Sequence, residues 1–282
     1  MMRRVFCALT FLALVPIAAP GAKAPDKSGY SLFRPVPDSL MRDMETDRPD
    51  KTESPITVDA GHFQLEMDFA TYTFDRTKHE TTKAWAVAPT NFKVGILNNV
   101  DLQLIVETYN IQTTEDRDTG RERRVSGFGD VTLRCKTNFW GNDGGFSAFG
   151  LMPFLKLPTA RDDIGNGAVE GGVILPLLLR LSTDWEIGTE IVVAHARNEA
   201  RDGYHQEFIQ AVTLGHDIGK WSGYLELFSD VSNEPHAGWV ATFDCGVSYR
   251  FTKDVQLDAG VNIGLTDAAD DLNPFVGLSL RY

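Results

Sequence analysis

The residues best able to do chemistry in this sequence are charged side chains that recur at every second position of apolar segments. Asp101, Gln103 and Glu107, for example, alternate with Leu102, Leu104 and Val106. Strand side chains point alternately to opposite faces, so such a segment has one polar and one apolar face. If the polar faces enclose a common interior, their charges either brace the wall through ion pairs or line a narrow path.

The charged residues on these polar faces are the candidate lumen-lining residues, and they carry both signs. For any single residue we favour bracing, and for the set as a whole we favour a polar pore with some charge selectivity. The candidates are Glu66, Asp68, Lys93, Asp101, Glu107, Asp130, Arg134, Lys136, Glu186, Glu190, Asp244, Arg250 and Asp258.

Catalysis is the competing chemistry for polar side chains of this kind. A hydrolase needs a Ser or Asp activated by a positioned His. His195 is the residue around which such a site could be built, but the six His are scattered and form no local signature. We therefore predict no catalytic residue and no enzymatic activity.

Metal and cofactor sites are not expected either. The sequence has no His-x₃-His spacing and no Gly-rich phosphate loop. Two acidic loops, one with Asp162 and Asp163 and one with Asp267, Asp270 and Asp271, have the ligand type that Ca²⁺ prefers. A solvated acidic loop is the favoured interpretation of both.

Alternating strands joined by tight turns must position these side chains. Leu97–Asn99, Ser182–Asp184 and Thr252–Asp254 are three-residue turns that keep the flanking apolar residues on one face. From Gly61 onward the alternation predicts twelve strands, about ten residues or longer, which is the length a tilted membrane strand needs. The predicted strands are 61–74, 83–97, 100–111, 126–140, 146–157, 168–181, 185–196, 204–216, 221–230, 238–251, 255–265 and 273–282.

The connections alternate between short turns and longer charged loops, such as 75–82 and 112–125. Aromatic residues cluster near both strand ends, as in the girdles of outer-membrane barrels. No apolar run reaches the ~20 residues of a membrane helix. The sequence therefore predicts an all-β, transmembrane, antiparallel up-and-down β-barrel of about 12 strands, formed by residues 61–282.

Two segments precede this barrel. Residues 1–24 have the basic start and apolar core of a signal peptide. Residues 25–60 have no alternation and are predicted to be an extended segment that lies in the periplasm or plugs the lumen.

Without Arg3, Arg4 and Lys23, the chain has 24 basic and 39 acidic residues. A chain this acidic is not expected to bind nucleic acid, because phosphates repel it.

Cys135 and Cys245 lie in the apolar sets of well-separated strands, which predicts two thiols and no disulfide.

At the end of the chain, Val276, Leu278, Leu280 and Tyr282 share one face. This pattern is similar to the C-terminal signal by which the barrel-assembly machinery recognises its clients. Outer-membrane lipid, that machinery and a small-molecule solute are the expected partners of a monomer in the outer membrane of a Gram-negative bacterium.

Four blocks carry a family resemblance: Thr46–Glu66, the hairpin at Asn98–Asn99, Gly127–Arg134 and Pro153–Thr159. Together they resemble the outer-membrane family labelled "putative MetA-pathway of phenol degradation". The resemblance implies a porin-like transporter that takes up small molecules, including aromatic or hydrophobic organic compounds, passively or by facilitated diffusion. It assigns no binding residue. An outer-membrane hydrolase and a structural barrel without transport are the alternatives.

Overall fold

The structure is a computed structural model that describes residues 26–161 and 163–282, so the predicted signal peptide and Asp162 lie outside the described residues. Within that part of the chain, no helix is long and apolar enough to cross a membrane. A short 3-10 turn occurs at Asp38–Leu40.

Fifteen strands follow in chain order, and their alternating side chains give almost every one of them two different faces. They are β1 (Phe63–Arg76), β2 (Glu80–Val87), β3 (Thr90–Leu97), β4 (Val100–Val106), β5 (Tyr109–Asp116), β6 (Arg121–Gly127), β7 (Val131–Trp140), β8 (Ser147–Leu157), β9 (Glu170–Arg180), β10 (Trp185–Arg197), β11 (Tyr204–Ile218), β12 (Trp221–Ser232), β13 (Val240–Thr252), β14 (Val255–Gly264) and β15 (Leu272–Arg281).

Twelve of these strands close a barrel. Strands β3, β4 and β7 to β15 pair in sequence order, and β1 joins β3 to β15. The closing seam is antiparallel, with Leu65 opposite Leu280 and Met67 opposite Leu278. Every backbone donor along such a wall can find an acceptor, which is the condition for a sheet to span lipid. The predicted twelve-stranded antiparallel barrel is confirmed.

The remaining strands, β2, β5 and β6, form an extension that we call the rim sheet. It continues β3, β4 and β7 beyond interruptions at Ala88–Pro89, Glu107–Thr108 and Phe128–Asp130. Two predicted loops, 75–82 and 112–125, are therefore mostly strand. Charged side chains hide the alternation there, and the turn between β5 and β6 is set locally. Asp116 accepts hydrogen bonds from the amides of Asp118 and Thr119, and Gly120 has a φ of +69°.

The barrel has an apolar outside and a polar inside. On β11, Phe208, Val212 and Leu214 are exposed on the outside, whereas Ala211 and Thr213 are buried. Along the inside, carboxylates such as Asp101 and Asp244 have no exposed surface at all. Cys135 and Cys245 are free thiols.

The N-terminal segment, residues 26–60, begins at the short-turn end of the barrel, where residues such as Phe33 are exposed, and continues into the interior. Close to the short-turn end, the amide of Leu32 donates to Ile96 and that of Val36 donates to Ala60, with N–O distances of 2.8 and 3.0 Å. Gly95 makes the close approach possible, because a Cβ at this position would overlap the carbonyl of Asp59. The segment thus covers the short-turn end and sends residues 44–55 into the lumen.

Candidate functional site

Ten of the thirteen candidate residues make polar contacts with the N-terminal segment. They lie on strands all around the barrel, so the segment is the common point of their contacts. The ten residues are Glu66, Asp68, Lys93, Asp101, Arg134, Lys136, Glu190, Asp244, Arg250 and Asp258.

Asp47 is the centre of one group of contacts. Its two carboxylate oxygens lie 2.5 Å from Lys93 Nζ and 2.5 Å from Lys136 Nζ. Lys93 also pairs with Glu66, which accepts a hydrogen bond from the Asp47 amide. Burial by itself would raise the pKa of Asp47, but the two ammonium groups hold it well below its usual range. Asp47 therefore stays ionised and binds β3 and β7 to the segment.

Arg48 extends these ion pairs to the closing seam of the barrel. Its guanidinium Nη2 lies 2.5 Å from Asp68 on β1 and 2.6 Å from Asp258 on β14. Guanidinium–carboxylate contacts of this kind are charge-assisted and directional. We call Asp47, Arg48 and their partners on β1, β3, β7 and β14 the ion-paired side of the lumen.

Contacts on the opposite wall have a different chemistry. Glu226 on β12 accepts hydrogen bonds from the amides of Lys51 and Thr52, with N–O distances of 2.9 and 2.8 Å. Glu190 on β10 accepts one from the amide of Glu53 at 2.9 Å. Here the carboxylates of Glu190 and Glu226 bind the backbone of the segment, and Glu226 also accepts a hydrogen bond from the Thr52 hydroxyl at 2.7 Å. The only cation contributed by Lys51–Glu53 is Lys51, which lies 3.1 Å from Asp244.

A cavity of about 160 Å³ lies between the segment and this opposite wall. We call it, with the parts of β9 to β13 that line it, the cavity side of the lumen. Acidic groups outnumber the two guanidinium groups of Arg48 and Arg250 in its lining. The acidic residues are Glu45, Asp50, Glu53, Glu186 and Asp217. A cation or a neutral polar molecule therefore fits this space better than an anion does.

Three candidates contact other parts of the barrel. Asp130 accepts a hydrogen bond from the amide of Ala160 at 2.9 Å and lies 3.4 Å from Lys156. Glu107 is exposed at the interruption between β4 and β5. Glu186 lines the cavity. Glu186 therefore belongs to the cavity side, and Glu107 and Asp130 lie where the barrel strands are interrupted before the rim sheet.

The residues considered for catalysis and for metal binding have other partners in the structure. His195 contacts Gln206 through its Nδ1 and stacks on Tyr204 with ring centroids 4.6 Å apart. Asp163 pairs with Arg123. Across residues 26–161 and 163–282, no group of three or more His, Cys, Asp or Glu side chains is arranged to hold a metal ion.

Sequence reasoning missed the partners that the N-terminal segment supplies. Asp47, Arg48, Lys51 and Glu53 lie in a segment without periodicity, so no face could be assigned to them. The need for such partners could have been predicted, because the charged side chains on the inward polar faces must be paired if they are buried. The charged run at 47–53 carries charges of both signs that could supply those partners.

Comparison with known proteins agrees with this architecture. A family model described as "Putative MetA-pathway of phenol degradation" matches residues 46–282. No curated protein matches the chain.

Two solved structures share the fold at 10% and 8% sequence identity. The COG4313 outer membrane channel from Pseudomonas putida F1 is similar with a TM-score of 0.63, over 84% of this chain and 100% of that one. The transport unit of the autotransporter AIDA-I from Escherichia coli is similar with a TM-score of 0.51, over 85% of this chain and 92% of that one.

Proposed function

Because the chain belongs to the family described as "Putative MetA-pathway of phenol degradation", we propose that it is an outer-membrane channel for small organic molecules. The solute would cross the lumen passively, down its gradient, without a cofactor. The family description supports small aromatic compounds as the first solutes to test. The similarity in fold to an outer-membrane channel supports the location in a Gram-negative outer membrane.

The observation that carries this proposal is the cavity beside the N-terminal segment. Its volume of about 160 Å³ is close to that of protein cavities that admit one benzene molecule, about 150 Å³. The polar lining matches a solute with a hydroxyl group, such as phenol, better than a pure hydrocarbon. A solute of one aromatic ring is therefore the size class that this lumen accommodates.

In our proposal the N-terminal segment acts as a resident plug with one fixed and one mobile side. The buried ion pairs of Asp47 and Arg48 hold it to β1, β3, β7 and β14. Removing one partner of a buried pair costs about 3–5 kcal/mol, so these contacts are expected to persist. The cavity side is held by hydrogen bonds worth about 1 kcal/mol each in net terms, somewhat more where a carboxylate accepts, and it is the side that opens for the solute.

The experiment is a paired measurement on the purified full chain. Planar-bilayer recordings measure ion conductance, and proteoliposomes loaded with a phenol-sensing dye measure solute entry. We expect a small, steady conductance and phenol entry several-fold faster than entry of a disaccharide. A protein that passes neither ions nor phenol would overturn the proposal. Ester hydrolysis by such a protein would favour the hydrolase instead, and its absence the structural barrel.

Assembly and oligomeric state belong to the same proposal. The final strand ends in exposed Tyr282, whose backbone pairs with Phe63 at the closing seam. We propose that the barrel-assembly machinery recognises this strand and that the barrel functions as a monomer, since one chain closes it. Deleting Tyr282 is expected to lower the yield of folded barrel in outer membranes. Unchanged yield would contradict the recognition role.

A further inference from the structure

The outer face of the rim sheet has two cations directly beyond an aromatic row. Tyr72, Trp85 and Ile111 lie side by side on adjacent strands, with the rings of Tyr72 and Trp85 4.7 Å apart. Two residues further from the short turns, the next row on the same face contains Lys83 and Arg124 on either side of Thr113. Directly opposed residues of antiparallel strands share a face, so these side chains project together.

Among the residues that the structure describes, the two cationic side chains have no partner. Lys83 and Arg124 are exposed, and neither makes an ion pair or side-chain hydrogen bond within the described ranges. Arg197, at the upper end of β10, differs, because its guanidinium lies over the Tyr204 ring and donates to a backbone carbonyl. Glu115 and Glu122 lie one row further out, so the positive charge is the part of the patch nearest the aromatic row.

The position of this patch relative to the membrane determines which part of the lipid it contacts. Aromatic rows mark the interface between the apolar core of a membrane and its headgroups. Two strand residues advance about 7 Å along the strand, or roughly 5 Å along the membrane normal at a tilt near 40°. Lys83 and Arg124 therefore lie in the headgroup layer, on the lipid-facing side of the wall.

A groove of about 650 Å³ runs between these cations over Trp85 and Ile111. Lys83 and Arg124 are two strands apart, about 10 Å at the usual strand spacing, within reach of one phosphorylated headgroup from both sides. The apolar floor of the groove suits acyl chains, and the cations suit phosphate. The chain has a formal net charge of −12, so two neighbouring cations without partners do not reflect its overall charge. A local anionic partner explains them better.

Outer-membrane barrels have short periplasmic turns and long extracellular loops, which puts the rim sheet at the outer leaflet. We propose that the outer face of the rim sheet is a binding site for a phosphorylated glycolipid of that leaflet. A phosphate group lies between Lys83 and Arg124, and acyl chains pack on Trp85 and Ile111. The site holds the rim sheet against the membrane surface above the interruptions at Ala88–Pro89 and Glu107–Thr108. The inference rests on the proposed outer-membrane location but not on transport.

The test uses the purified full chain and diphosphoryl lipid A, with its dephosphorylated form as the comparison lipid, measured by native mass spectrometry. K83A/R124A is the test variant. K78A/R121A is the matched control, because it removes the same charge from a loop tip and from the opposite face of β6.

We expect K83A/R124A to weaken binding of diphosphoryl lipid A at least tenfold and the control to change it less than twofold. All three proteins should bind the dephosphorylated lipid equally. Equal binding of diphosphoryl lipid A by wild type and K83A/R124A would overturn the inference. Conductance in bilayers that lack lipid A separates this outcome from the channel proposal, because it tests the lumen without the lipid site.

Discussion

The two sides of the lumen bind the same N-terminal segment by different means. On the ion-paired side, Asp47 and Arg48 each contact two wall residues of opposite charge. On the cavity side, Glu190 and Glu226 accept hydrogen bonds from backbone amides, and open space remains beside them. Removing one partner of a buried ion pair costs about 3–5 kcal/mol, against about 1.5–3 kcal/mol for a hydrogen bond to a charged group, so we expect the ion-paired side to be the stronger anchor.

The largest effect is expected from Asp47→Asn. It leaves Lys93 and Lys136 buried with only part of their negative partners, at a cost of about 3–5 kcal/mol, which raises the population of released segment more than a hundredfold. The measurements are bilayer conductance, which should rise, and protease cleavage within residues 26–60. Asp38→Asn, the same change at an exposed position of the segment, is the control. Equal behaviour of the two variants would mean that Asp47 is not an anchor.

Gly95→Ala should release the N-terminal segment from the ion-paired side through a steric clash. The added methyl group would overlap the carbonyl oxygen of Asp59, a backbone atom that cannot turn away as a side chain can. We expect a rise in conductance of about tenfold, smaller than for Asp47→Asn because the ion pairs remain. Gly223→Ala is the control, since its Cβ would have no neighbour nearer than 3.8 Å. A rise with Gly223→Ala alone would contradict the assignment of the sides.

Glu186→Gln tests the electrostatics of the cavity side. Removing one carboxylate from the net acidic lining should lower the cation-to-anion permeability ratio by about twofold, because charges in contact with water interact by about 1 kcal/mol or less. Reversal potentials in a salt gradient measure this ratio. Asp184→Asn removes an exposed charge from the turn before β10 and should leave the ratio unchanged. An unchanged ratio in Glu186→Gln would place the path elsewhere.

The effect of Asp47→Asn on conductance should persist at acidic pH. The pKa of Asp47 lies well below its usual range, so the stability it contributes is fully present above its unfolded pKa of about 3.9 and is lost only as the pH falls through the lower folded value. The conductance ratio of Asp47→Asn to wild type should therefore be equal at pH 8 and pH 5. A ratio that falls towards one at pH 5 would show that the carboxylate is protonated there.

The sequence predicted the wall of the barrel better than its contents. Period-two alternation reports burial on one face, so it identified the twelve strands and the inward direction of residues such as Lys93 and Asp244. It gives no information about residues 47–53, which contact the wall through individual side chains and amides without any period. Most of β5 and β6 falls in the predicted loop 112–125, because the rim sheet has water on at least one face and charge there hides the alternation.

A cross-linking measurement tests the central claim, that the cavity side moves and the ion-paired side does not. Thr52 and Thr213 have hydroxyl oxygens 2.8 Å apart on the cavity side, close enough for a Cys pair to form a disulfide. Thr57 Oγ1 and Asn142 Nδ2, 2.9 Å apart near the short turns, provide the matched tether. Both pairs are placed in a chain with Cys135→Ser and Cys245→Ser.

Oxidation of T52C/T213C should abolish phenol entry, and reduction should restore it, whereas oxidation of T57C/N142C should leave entry unchanged. Equal phenol entry through oxidised and reduced T52C/T213C would contradict the account, because the segment would then not need to move on that side.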